Sequence, residues 1–138
     1  MSGWAMAMQE ARVLFRPDAT APAMGRRILD GMGDGLAPSM LEDARLLLTE
    51  LITNAIQHGH LERGDRISVT VRREAAGIIV EVADPGDGIP QPSDNDRGSE
   101  SGWGLTLLER LADEWGVEPV PDGGTLAWFR LAERRMTP

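Results

Sequence analysis

The sequence contains no lysine, and all fourteen of its basic residues are arginine. A P-loop needs a lysine on the nucleotide phosphates, and the protein-kinase fold needs a strand lysine for the same task. Both classes of nucleotide site are therefore excluded. Any nucleotide chemistry in this chain must use other groups.

Cysteine is absent as well, which excludes disulfides and cysteine-ligated metal sites and suits the cytoplasm. No uncharged apolar run approaches the ~20 residues that a membrane helix needs, and the amino terminus lacks the basic region of a signal peptide. The net charge of −8 argues against a broad nucleic-acid or anionic-membrane surface. At 138 residues we expect one domain, spanning 1–138.

Hydrophobic periodicity predicts an alternation of strands and helices. We expect strands at 11–17, in the hairpin formed by "RISVTVRRE" and "GIIVEVAD", and in a terminal hairpin formed by "VEPV" and "TLAWFRL". We expect helices at 21–30, 39–59 and 103–115. Ser39 and Glu42 form a capping-box pattern at the start of the long helix. The fold class is α+β: a two-layer sandwich with a mixed, mostly antiparallel sheet and helices on one face.

The long helix carries Glu50, Asn54 and His58 at intervals of four residues. At about 100° per residue these side chains follow one border of the apolar stripe, where the helix meets the sheet. A solvated boundary explains a lone residue there. The row also suits a cation site, because Mg²⁺ prefers oxygen ligands such as the amide of Asn54. Glu50 could accept a proton or orient a water molecule.

The motif "DPGDG" directly follows a buried-looking strand. Asp84 can accept a hydrogen bond from an exocyclic amine such as that of adenine, and Gly86 and Gly88 permit close approach of the backbone to a ligand. Further on, Thr125 opens the last strand in "GGTLAWF". Each feature alone is a common turn.

The motif "SGWGL" places Gly102, Gly104 and Leu105 where a helix begins. Free amide groups and the positive end of the helix dipole make such a start a potential phosphate cradle. Alone, this pattern is also weak.

Taken together and in this order, the four motifs resemble the GHKL-type ATP-binding fold, which gyrase, the heat-shock chaperone ATPase, histidine kinases and the mismatch-repair ATPase share. "ELITNAIQHG", "VADPGDGIP", "SGWGLTLLERLADEWG" and "GGTLAWF" are most similar to the stand-alone anti-sigma factor serine-protein kinases of partner-switching systems. The resemblance covers about residues 39–131.

The resemblance implies ATP and Mg²⁺ as cofactors, with a role for each motif residue. Asn54 would coordinate Mg²⁺, Glu50 would act as general base, and Asp84 would bind the adenine amino group with help from Thr125. Two glycines, Gly86 and Gly88, would shape the adenine pocket. The phosphate side would be lined by Gly102, Gly104 and Leu105.

The resemblance also implies an ATP lid at about 89–101, with Arg97 as a candidate phosphate ligand. Trp103 departs from the arginine that many actinobacterial relatives carry between the two glycines. His58 matches a family position, where a structural role is as plausible as a functional one. His58 and His60 lack a third ligand for a metal of their own.

The function implied is an anti-sigma factor kinase that binds a sigma factor and phosphorylates Ser or Thr of a small anti-anti-sigma (STAS-type) protein. Two alternatives stay open: a non-catalytic ATP-binding adaptor, and a switching kinase that acts on a scaffold protein. A sensor histidine kinase would need a preceding dimerisation helix, for which the amino-terminal part is too short. Gyrase-like and chaperone-like ATPases would need further domains. We expect no direct contact with nucleic acid or membrane, and a homodimer is possible.

Overall fold

The computed structural model describes residues 9–86 and 105–133. Within them the chain forms five strands and three helices. In chain order these are β1 (Glu10–Phe15), α1 (Ala21–Met32), α2 (Pro38–His58), β2 (Ile67–Glu74), β3 (Gly77–Asp84), α3 (Leu105–Leu111), β4 (Glu114–Pro119) and β5 (Thr125–Ala132). None of these helices is long and apolar enough to cross a membrane.

The strands form one sheet in the order β1-β2-β3-β5-β4. All four pairings are antiparallel, so neighbouring strands present alternate side chains to the same face. β3 lies at the centre and pairs with β5 on one side, with Asp84 opposite Thr125. This register brings the end of one motif strand beside the start of the other.

The core lies between one face of the sheet and the helices. Its sheet side alternates buried residues with half-buried ones, as β5 illustrates, and its helix side is the apolar stripe of α2. Fully buried core members include Leu47, Leu48, Ile52, Ile67, Val69, Val71, Ile78, Val80 and Phe129. The predicted α+β sandwich is confirmed.

Helix α1 packs on α2 at a glycine. A Cβ atom at Gly25 would lie 2.6 Å from the Cδ1 atom of Ile52, so the small residue allows the two helices to approach closely. Arg26 also donates a hydrogen bond to Thr49 across this contact at 3.0 Å. These contacts join the two helices on the same face of the sheet.

Two predicted boundaries were wrong. Ser39 does not cap α2: the N-cap is Ala37, no side chain of its own turn caps it, and Pro38 occupies the first helical position. The Ala37 N–H donates instead to the Glu133 carboxylate at 2.8 Å, a partner that lies far along the chain. A local capping-box pattern could not anticipate this contact.

The third predicted helix ends earlier than the apolar pattern suggested. α3 stops at Leu111, and Trp115 lies in β4 opposite Phe129. Asp113 separates the two elements, since its N–H donates to the Arg130 carbonyl and its carboxylate accepts from the Ala132 N–H. Both bonds tie the chain to β5 and so favour a strand over another helical turn.

Candidate functional site

The candidate site lies where the end of β3 meets the start of β5. Asp84 is 8% exposed and its strand partner Thr125 is 3% exposed. Both polar side chains belong to the inner face of the sheet, and their neighbours on that face of β3 and β5 are apolar. Buried polar groups at a strand end mark a place where a ligand can be recognised.

The carboxyl end of α2 closes against this strand end through two glycines. A Cβ atom at Gly86 would overlap the carbonyl oxygen of Gly59, the residue that ends α2. A Cβ atom at Gly59 would lie 3.3 Å from the Asp84 Oδ1 atom. Only glycine at position 86 allows the helix end and the loop after β3 to meet.

A third glycine closes the pocket from the β4–β5 turn. Gly124 has a φ of +113°, in the region that side chains disfavour, and a Cβ atom there would overlap the Asp84 carbonyl oxygen. The backbone on three sides of Asp84 therefore comes from Gly59, Gly86 and Gly124.

The Asp84 carboxyl accepts a backbone hydrogen bond and also has a shifted pKa. Its Oδ1 atom accepts a hydrogen bond from the Gly86 N–H at 2.7 Å. Burial raises the pKa of Asp84, against the lowering effect of that hydrogen bond, and the nearby charge of Asp65 raises the pKa further. A buried carboxyl group with a raised pKa at the rim of a glycine-lined turn is typical of a functional site.

Asn54 brings a second polar group to the inner side of α2. The side chain is 2% exposed, and its Nδ2 atom is buried without a hydrogen-bond partner among the described residues. A buried amide left unpaired costs about 1–3 kcal/mol. Rotation of the amide about its last side-chain bond would turn an oxygen toward the same space. The group therefore suits a ligand or a cation.

The predicted row on α2 has the burial expected of a helix border. Glu50 and His58 are half-buried, whereas Asn54 between them is buried. The row runs along the helix away from Asp84, since Glu50 lies about 13 Å along the helix axis from Gly59. An elongated ligand could contact Asp84 with one end and the Asn54–Glu50 region with the other.

The described residues bring together Asp84, Gly86 and Thr125 directly, and Asn54 and Glu50 on the helix that closes against them. Leu105 begins α3. The other predicted positions lie outside the described residues: Gly88, Gly102, Gly104, Trp103, Arg97 and the lid at 89–101. The individual roles of the site residues stay predictions.

Sequence reasoning missed three residues of the site. Gly59 and Gly124 line the Asp84 pocket, and Asp65 acts on it through its charge. In "GGTLAWF" the sequence predicts a site role for Thr125 alone and not for the two glycines before it. A glycine at the end of a motif helix and a double glycine before a motif strand are the signals that could have identified the first two.

One family of known proteins matches most of this chain. The model of the histidine kinase-like ATPase domain matches residues 16–130. The chain belongs to the histidine kinase-like ATPase domain family. The resemblance to the GHKL-type fold is thereby confirmed.

Curated proteins named anti-sigma F factor are among its relatives. The protein from Thermoanaerobacter sp. (strain X514) is 30% identical over 114 residues, which cover 75% of this chain and 80% of the relative. The protein from Geobacillus stearothermophilus is 32% identical over 101 residues, with coverage of 67% and 69%. The protein from Bacillus subtilis (strain 168) is 28% identical over 101 residues, with coverage of 65% and 69%.

Membership of this ATPase family supports ATP as the ligand of the pocket around Asp84. Among the described residues, no group of three or more His, Cys, Asp or Glu side chains could hold a metal ion by itself.

Proposed function

We propose that this protein binds ATP with Mg²⁺ and transfers a phosphoryl group to a Ser or Thr of a protein partner. The observation that carries the proposal is the buried Asp84 carboxyl, against which the backbone of Gly59, Gly86 and Gly124 packs closely. An aspartate in this position gives an adenine amino group an acceptor, and the glycines let the surrounding backbone approach it closely.

The polar row of α2 suits the phosphate end of the nucleotide. Asn54 presents a buried amide whose Nδ2 atom has no partner within the described part of the chain. When bound there, Mg²⁺ supplies charge neutralisation for the phosphates, and Asn54 would offer it an amide oxygen. The lysine-free composition is compatible with this chemistry, because phosphoryl transfer depends mainly on positioning and on charge neutralisation.

Glu50 is the candidate general base. Its half-buried carboxylate lies one helical turn from Asn54 on the same border of α2. From there it would accept the proton of the attacking hydroxyl, or orient that hydroxyl toward the phosphate. Asn54 would hold the phosphate end while Asp84 fixes the base.

The names of the relatives support a regulatory role in a partner-switching system. We propose a sigma factor as the restrained partner and a STAS-type anti-anti-sigma protein as the phosphate acceptor. The cytoplasm would be the place of action. An ATP-binding adaptor without transfer activity and a kinase acting on a scaffold protein are the alternatives against which the experiment is designed.

The test is phosphoryl transfer from labelled ATP to anti-anti-sigma proteins of the same organism. Glu50→Gln should bind ATP as the wild type does, yet lose transfer by roughly a hundredfold or more, because general-base catalysis contributes about that much. Glu42→Gln is the matched control, since it neutralises an exposed carboxylate on the same helix.

Each other outcome excludes a part of the proposal. Equal transfer by Glu50→Gln and the wild type would remove Glu50 from the mechanism. A wild type that binds ATP and phosphorylates no anti-anti-sigma protein would favour the adaptor, and phosphorylation of a scaffold protein alone would favour the switching kinase.

A further inference from the structure

Three arginines line one cleft at the end of the β1–β2 ladder. The cleft has a volume of about 560 Å³ and is formed by Arg16, Pro17, Asp18, Arg63 and Arg66. The β1–β2 register ends at the pair Phe15–Ile67, so Arg16 and Arg66 lie just beyond the ends of the two strands. The chain as a whole carries a net charge of −8, so this concentration of positive charge is local.

The carboxylates nearby offset these arginines only in part: hydrogen bonds from Thr20 lower the pKa of Asp18, and the charge of Arg16 lowers it further. Asp18 uses its Oδ1 atom to accept hydrogen bonds from the backbone and the hydroxyl of Thr20. Asp65 accepts a hydrogen bond from the Glu62 N–H, and its charge acts on Asp84 on the side of the candidate site. Glu62 is exposed and does not line the cleft.

Three of the other arginines in the described ranges are paired with carboxylates. Arg45, Arg72 and Arg130 each have a carboxylate oxygen within 4 Å. By contrast, neither Arg16 nor Arg63 forms a side-chain hydrogen bond or an ion pair with a described residue. Arg66 donates only to the backbone carbonyls of Gly64 and Asp65, which fixes its place in the loop.

The cleft shares a segment with the candidate nucleotide site. Residues 60–66 connect Gly59, which lies against Gly86, to the arginines of the cleft. His60 starts this connection in the left-handed region with a φ of 54° and so turns the chain sharply at the end of α2. A partner bound in the cleft would therefore lie beside the Asp84 end of the site.

We propose that this cleft, formed by Arg16, Arg63 and Arg66, binds an acidic segment of a partner protein. Guanidinium groups form paired hydrogen bonds with carboxylates, and three of them in one concave surface can accommodate several carboxylates of one segment. A protein segment suits the cleft better than a nucleic acid, because the negative charge of the whole chain repels a long polyanion. The proposal does not depend on phosphoryl transfer.

The test is binding of a fluorescent peptide of glutamates to the full chain at low ionic strength, followed by anisotropy. The double variant Arg16→Glu with Arg63→Glu should weaken binding by roughly tenfold or more. The control is Arg27→Glu with Arg110→Glu, which changes the charge equally at two exposed arginines outside the cleft. This control should change the affinity by less than about twofold. Circular dichroism and an ATP titration of each variant report on the fold and the nucleotide site separately.

Three results would overturn the proposal. Equal weakening in the two double variants would mean that only net charge matters. Tighter, cleft-dependent binding of a single-stranded oligonucleotide would assign the cleft to nucleic acid. Self-association in sedimentation that disappears in the cleft variant would make a second copy of the chain the occupant. Failure of the wild-type protein to bind ATP would contradict the proposed function and would not affect the cleft proposal.

Discussion

The polar groups at the two ends of helix α2 differ in whether they have hydrogen-bond partners. At the amino end, Pro38 lacks an N–H at the first helical position, and the Ala37 N–H is satisfied by Glu133. Toward the carboxyl end, Asn54 holds a buried Nδ2 atom without a described partner, and the helix closes on the buried carboxyl group of Asp84. The backbone N–H at the amino end of α2 thus has a hydrogen-bond partner. The buried Asn54 side chain beside the candidate site has none among the described residues for its Nδ2 atom.

This difference gives the polar residues distinct interpretations. A group that already has a partner stabilises the fold and has little left for a ligand. A buried group that is unpaired, or whose pKa is raised by burial, lowers stability and gains from ligand binding. The comparison predicts that changes at the two ends will separate stability from nucleotide affinity.

The largest expected effect is at Gly86. Gly86→Ala places a methyl group on the Gly59 carbonyl oxygen, a backbone atom that cannot move without separating the helix end from the loop. We expect a loss of about 3 kcal/mol in the free energy of unfolding, together with loss of ATP binding. Denaturant titration and calorimetry measure the two effects.

The control for this change is Gly64→Ala, at a glycine with no heavy atom within 4 Å of the added methyl group. This control should leave the free energy of unfolding and the ATP affinity nearly unchanged. A Gly86→Ala variant as stable as the wild type, with normal ATP affinity, would mean that the contact with Gly59 is not needed for the pocket.

A smaller effect is expected at the opposite end of α2. Glu133→Ala removes the acceptor of the Ala37 N–H and should lower the free energy of unfolding by about 1 kcal/mol, as loss of a helix cap does. Glu133→Gln keeps an acceptor oxygen and should lose less. ATP affinity should stay the same in both variants. A large loss of ATP affinity in Glu133→Ala would contradict the separation of the two ends.

The smallest effect is the pH dependence that Asp84 contributes, because the Gly86 N–H offsets part of its burial cost. The pKa of Asp84 is raised above the ordinary 3.8 of an aspartate, so the folded state holds this proton more tightly than the unfolded state. The contribution of Asp84 to stability therefore falls as pH rises from 3.8 through the pKa of the folded state. Above that pKa the full free-energy cost of ionising the buried carboxyl group is reached.

Asp84→Asn removes this titration. The variant should gain stability relative to the wild type as pH rises through that interval, and the difference should be constant at higher pH. Unfolding titrations at a series of pH values measure it. A difference that is independent of pH would show that burial does not perturb the Asp84 carboxyl.

The regular parts of this fold follow from local patterns in the sequence. The strands of the hairpin 67–84 and the long apolar stripe of α2 are repeating signals that tertiary contacts reinforce. Boundaries set by distant residues could not be predicted. The start of α2 depends on Glu133, and the end of α3 depends on hydrogen bonds between Asp113 and β5.

Some residues of the candidate site could likewise be predicted from the sequence, and others could not. Asp84, Asn54 and Glu50 could be identified because each belongs to a motif with a known spacing. The contact of Gly59 with Gly86 and the cleft of Arg16 with Arg66 arise from the closure of a helix and from a strand register. Neither residue pair is close in the sequence, so their chemistry becomes visible only in the folded chain.

The most direct test of the account is a calorimetric titration of the purified protein with ATP, with and without Mg²⁺, beside Asp84→Asn. Asp122→Asn, at an exposed aspartate of the β4–β5 turn, is the matched control. We expect Mg²⁺-dependent binding by the wild type and the control, and binding weakened by roughly a hundredfold or more in a folded Asp84→Asn variant. Equal affinity of Asp84→Asn and the wild type would contradict the assignment of Asp84 to the adenine amino group.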